Sequence, residues 1–229
     1  EPLLWLLACW DREDTKWWTQ EQTFQVLWQN KWLISSMIAS PDFSATRIRQ
    51  QLRAMSRRYE RAHVGLEPVL AMTWRVDAHV HGHAASQASF EAWVAAERTQ
   101  LSDCAACIAA ERASHLAALG RHEEAVEEAT EWLTVGAPGC DAQPSGIIAS
   151  VVESLLETGR VAQATTQHLR GRRLAWADLS FFFADSAAVL RTCARSGNLH
   201  RGLRLLHESL PRLDGATSLV QLDWAAAAT

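Results

Sequence analysis

The chain has 229 residues, 48% hydrophobic and 21% charged, with a net charge of -4. That composition is ordinary for a folded protein with an ample core. The negative balance argues against broad nucleic-acid binding, which needs a positive field. The longest apolar run, Leu3 to Trp10, is eight residues, where a membrane span takes roughly twenty.

No basic segment followed by a small-residue cleavage site opens the chain. Five cysteines (Cys9, Cys104, Cys107, Cys140 and Cys193) at irregular spacing do not form a secreted disulfide framework. The expected location is the cytoplasm. The chain opens on Glu1 without Met and closes on an apolar run, so it reads as a piece of a longer protein.

Taken in chain order, Leu3 to Trp10 reads as the second helix of a hairpin. A long helix is expected from Trp17 to Ala39, a turn at Ser40-Pro41-Asp42, and a helix from Ser44 to His63. In that last helix Ile48, Leu52, Met55, Tyr59 and Ala62 recur three and four apart, the mark of one buried stripe. Downstream, Gly82, Gly120, Gly159 and Gly197 are 38, 39 and 38 residues apart. Each stands between two apolar-periodic stretches, where a left-handed residue ends a helix most cheaply when it lacks Cβ. In the third hairpin Ile108, Leu116 and Leu119 precede the glycine and Ala125, Val126, Ala129, Trp132 and Leu133 follow. In the fourth, Ile148, Val151, Val152, Leu155 and Leu156 precede it. In the fifth, Val189, Leu190 and Cys193 precede and Leu203, Leu205, Leu206 and Leu210 follow. Leu219 to Ala228 opens a further hairpin. The expectation is twelve helices with no sheet: an all-α, right-handed superhelical solenoid of stacked antiparallel hairpins, one domain over 1–229.

The segment ALGRHEEAVEEATEWL, with Ala125 five residues after Gly120, resembles a tetratricopeptide repeat, and Gly159 with Ala164 repeats the spacing. Gly197 has Gly202 where alanine is usual, and the unit exceeds the usual 34 residues or so. VLWQNKW at Val26 to Trp32, Asp103-Cys104-Ala105-Ala106-Cys107, and Cys140-Asp141-Ala142-Gln143-Pro144 are similar to segments of an actinobacterial group of tetratricopeptide-repeat proteins without an assigned activity. The resemblance implies the fold, and a concave groove lined by the first helix of each hairpin that holds a peptide or partner protein. Register from the glycines places Met72, Val76, His79 and Val80 in that groove. Cys107, Ala110, Ser114 and Ala117 follow, then Glu153, Leu156 and Glu157, then Arg191 and Arg195. Glu153 and Glu157 stand one repeat from Arg191 and Arg195, so a ladder of ion pairs is expected. The functional expectation is a protein-interaction scaffold, or the sensing portion of a regulator.

The alternative is a metal- or ligand-binding protein or enzyme centred on Cys104 and Cys107. A CxxC pair supplies two of the four ligands that zinc takes, with His115 and Cys140 as further candidates. With Asp103 as helix cap, Cys104 would instead sit in a first turn whose dipole makes it reactive. Simple packing of small thiols is the preferred reading, with no cofactor and no metal. His79, His81 and His83 alternate too widely around a helix to share one ion. Arg49, Arg53, Arg57 and Arg61 read as a solvated face, or a docking face for an acidic partner. Glu123, Glu124, Glu127, Glu128 and Glu131 suit the start of their helix. Trp17, Trp18, Trp28, Trp32 and Phe24 read as core, or where exposed as a partner hot spot. No nucleophile elbow, phosphate loop, HExxH or paired-carboxylate signature occurs.

Overall fold

The computed structural model of the chain describes residues 2–12, 18–135, 140–177 and 186–228. The protein is all-helical. Twelve helices and no strand are found among the described residues. The chain divides into two compact units, Glu1–Asp103 and Cys104–Thr229.

The first unit holds α1 (Pro2–Arg12), α2 (Gln20–Ile38), α3 (Ala45–Arg61), α4 (Glu67–His81) and α5 (Gln87–Val94). Thr19 starts α2 with a reciprocal cap: its hydroxyl accepts from Gln22 N at 3.1 Å while Gln22 Oε1 accepts from Thr19 N at 2.9 Å. The T-x-x-Q spacing is the sequence signal for it. Trp17, expected inside this helix, lies outside the described residues. Sequential helices touch, and α4 also lies against α2. Of the expected α3 stripe, Ile48, Met55 and Tyr59 are buried and Leu52 and Ala62 half-buried.

This unit also carries a polar interior. Lys31, 2% exposed, donates to Asp103 Oδ1 at 2.7 Å and Leu101 O at 3.2 Å, with its ammonium 3.7 Å from the Trp28 ring centre. Burial pulls Lys31 below its ordinary pKa, against the raising pull of Asp103. Arg58 spans Asp11 and Asn30 at 2.6 to 2.9 Å. Glu67 accepts from Trp93 Nε1 at 2.6 Å and from the Ser102 hydroxyl. Such buried charges hold only because each is hydrogen-bonded.

The second unit holds α6 (Ala105–Ala118), α7 (His122–Val135), α8 (Ser145–Glu157), α9 (Val161–Ala177), α10 (Ser186–Arg195), α11 (Leu199–Leu213) and α12 (Ser218–Ala228). The turns after α6, α8 and α10 are built alike. Gly120, Gly159 and Gly197 have φ of +74°, +72° and +72°. Across them Arg121 N donates to Leu116 O, Arg160 N to Leu155 O and Asn198 N to Cys193 O, at 2.9, 2.8 and 2.9 Å. Each glycine N donates to the carbonyl three residues back. This double closure satisfies the last carbonyls of the helix and turns the chain sharply into the next one.

Five residues past each glycine, Ala125, Ala164 and Gly202 are buried. Small size is what these positions need. A Cβ on Gly202 would stand 3.3 Å from Cys193 Cβ, so α11 rides close on α10 there. Ala109, Ala113, Ala125 and Ala129 likewise let α6 and α7 approach, over Ile147, Val151 and Leu155 of α8. Leu190, Cys193, Leu205 and Trp224 make a second core under α10, α11 and α12. Each first helix touches its own partner and the next first helix, giving the runs α6–α8–α10–α12.

Two tests follow. No atom lies within 4 Å of a Cβ placed on Gly120, so Gly120→Ala adds only the left-handed backbone cost. It should lower unfolding free energy by about 1 kcal/mol in urea titration. His168 is 8% exposed and its Nδ1 has no hydrogen-bond partner. Burial, with Arg201 and Arg172 nearby, brings its pKa down to about 4. The unfolded chain, titrating near 6.5, then binds more protons between those values. The contribution is whole above about pH 6.5 and lost toward pH 4, at most about 3 kcal/mol. Unfolding of His168→Gln at pH 7 and pH 5 should show a smaller decline than the parent chain.

Candidate functional site

The second unit brings two sets of side chains together. The first is the charge ladder on α8, α10 and α12. Arg191 Nε donates to Glu153 Oε1 at 2.5 Å and Arg191 Nη1 to Asp223 Oδ1 at 2.6 Å. Arg195 pairs with Glu157. One guanidinium thus ties three first helices, using the planar fork that lysine lacks. Burial works against the Arg191 charge, but Glu153 and Asp223 outweigh it and raise its pKa. Ser114 stands at the same register on α6 and is exposed. Asp223 was not anticipated, because register is counted back from the glycine that ends a first helix and none stands after α12 in the sequence.

The residues expected upstream fall elsewhere. Met72 and Val76 are 0% and 1% exposed and belong to the core of the first unit. The reason is local: Gly82 is itself the cap of α4, whereas Leu119 and Thr158 cap α6 and α8 with the glycine one residue later. The register therefore shifts by one residue, about 100° around the helix. Asp77 takes the position of Ser114, half-buried and 3.9 Å from Arg49. His79 is exposed.

The second set is a triangle of thiols. Cys104, Cys107 and Cys140 place their sulfurs within 4.8 Å of one another, the only such group of three possible metal ligands among the described residues. Cys107 and Cys140 are 3.5 Å apart. Asp103, expected to cap α6, does not. Its carboxylate is held by Lys31 and Arg75, and the Cys104 thiol itself caps the helix, accepting from Cys107 N at 3.4 Å. Cys140 arrives from the segment before α8, because α8 lies alongside α6.

Gln143 completes the surroundings. Its Oε1 accepts from Ile147 N at 3.0 Å, which turns its amide N–H toward Cys107 Sγ at 3.5 Å. Burial opposes ionisation of Cys104, yet the N–H of Cys107 and the thiols of Cys140 and Cys107 outweigh it and hold its pKa below the ordinary value. Burial raises Cys107 and Cys140. His115, a candidate fourth ligand, is fully buried and stands outside the triangle.

Other candidates serve structure. Arg61 stacks 3.8 Å over the Trp10 ring and donates to Trp10 O, and Arg49 lies 2.6 Å from His81. Arg53 and Arg57 are exposed. Glu123 pairs with Arg160, Glu124 with Arg121 and Glu128 with Arg112. Phe24 stacks on Trp28, and Trp32 meets Trp28 edge-on with 41% of its surface exposed. The sequence pattern missed Arg58, although it lies three residues after Met55 and so on the buried face of α3.

Comparison with family models, with curated proteins and with solved structures found no match for the chain. No helix is long and apolar enough to cross a membrane among the described residues.

Proposed function

We propose that the Cys104–Thr229 unit is a tetratricopeptide-like repeat module that binds a partner protein or peptide across α6, α8, α10 and α12. The observation that carries this reading is the charged ladder along consecutive first helices. Repeated hairpin turns set neighbouring helices at matching register, and such stacks expose one extended face made from many helices. The right-handed solenoid and the scaffold role belong to the same proposal.

The ladder also bears on the partner's charge. Both arginines already face carboxylates of the chain, and Glu153, Glu157 and Asp223 outnumber Arg191 and Arg195 by three to two. The face therefore suits a segment carrying Lys or Arg better than an acidic one. The arginines fix the carboxylates in place, and a partner's cations complete the pairing.

Fluorescence anisotropy with two extended peptides of equal length, one Lys/Arg-rich and one Asp/Glu-rich, tests this. The basic peptide should bind, and the Glu157→Gln, Asp223→Asn double variant should weaken it about tenfold. Preference for the acidic peptide, or binding of neither, removes the reading.

A further inference from the structure

We propose that Cys104, Cys107 and Cys140 form a three-thiolate site for a thiophilic divalent cation of the zinc type, with the fourth coordination position open to an external ligand. The argument begins with number. A disulfide needs two sulfurs, and simple packing needs none to converge. Here three sulfurs from two separate segments lie within 4.8 Å of one another, and Cys107 and Cys140 are 3.5 Å apart. Tetrahedral zinc with Zn–S bonds of about 2.3 Å sets its sulfurs about 3.8 Å apart. The Cys107–Cys140 edge is already close to that, and no edge of the triangle exceeds it by more than about 1 Å.

The surroundings also suit sulfur anions. Cys107 N donates to Cys104 Sγ, and the Gln143 amide, fixed by its bond to Ile147 N, donates to Cys107 Sγ. N–H groups aimed at ligand sulfurs orient a metal site and stabilise the charge it gathers. Cys104 is exposed, which gives an ion a way in. Among the described residues no fourth His, Cys, Asp or Glu joins the group, and residues 136–139 before Cys140 are Gly, Ala, Pro and Gly. Three protein ligands with one open position is the arrangement of a site that can take up an external donor. On binding, each ligating thiol gives its proton to solvent and its sulfur to the metal.

The placement follows from the repeat. Gln143 stands one repeat after Cys104, so the starts of α6 and α8 lie level. Cys140, 33 residues after Cys107, falls three residues short of Gln143 and reaches back to the CxxC. Zinc here would clamp the two neighbouring hairpins at their starts.

The test uses the full chain, reduced and stripped of metal, titrated with Zn²⁺ and with Co²⁺ as the optical probe. The expected result is one equivalent bound, with a thiolate-to-cobalt charge-transfer band and the intense visible bands of tetrahedral cobalt. Cys104→Ser and Cys140→Ser should each weaken uptake at least a hundredfold with helical circular dichroism unchanged, and Cys9→Ser should not. Cys107 is partly buried, so the proposal rests on the other two variants. No stoichiometric uptake by the reduced chain overturns the site, as does uptake that survives in Cys104→Ser. A Cys107–Cys140 disulfide forming on mild oxidation in a chain that takes up no metal would assign the thiols to redox pairing instead.

Discussion

The second unit depends on a turn of two hydrogen bonds closed around a left-handed glycine. At Gly120, Gly159 and Gly197 the same pair of bonds ends a first helix and releases the chain into the next. Because each turn ends its helix at the same point, side chains counted back from the glycine recur at the same height and azimuth. The small residue five positions later then lets the second helix close down. Core and surface both follow from that registration: Leu116 and Leu155 point inward, while Ser114, Glu153 and Arg191 come out along one face.

Two consequences of chemistry arise from geometry that is otherwise purely structural. Equal register puts Glu153 beside Arg191, and the fork of that arginine carries the contact on to Asp223. Level helix starts put the segment before α8 beside the first turn of α6, so that a third cysteine meets a CxxC. The first arrangement leaves a face with surplus negative charge. The second gathers thiols at a helix start, where N–H donors favour the anionic sulfur.

Much of this was legible in the sequence, and the failures have identifiable causes. The glycine period and the apolar stripes anticipated the helices of the second unit, and the one-repeat spacing of Glu153 and Arg191 anticipated their pairing. Met72 and Val76 fall in the core because α4 runs right up to Gly82 (φ 83°, ψ 163°), one residue closer to its glycine than α6 and α8 run to theirs. A glycine in a sequence marks a turn without saying which turn. Asp103 has a residue type that favours helix caps. Lys31 and Arg75 claim its carboxylate, leaving a thiol to cap α6 instead. Cys140 and His115 stand equally as further candidates beside Cys104 and Cys107 in the sequence, and only the level lie of α6 and α8 selects Cys140. The buried Lys31, Arg58 and Glu67 were hidden because their burial is made affordable by partners distant in sequence, at Asp103, Asp11 and Trp93.

The central claim is that neighbouring first helices of the second unit share one register. A double-mutant cycle on the unfolding free energies of Glu153→Ala, Arg191→Ala and the combined variant measures it directly. The account predicts a favourable coupling of roughly 0.5–1 kcal/mol, as for close, partly screened ion pairs, and none between Ser114 and Arg191, which stand two helices apart. Strict additivity of Glu153→Ala and Arg191→Ala would contradict the shared register.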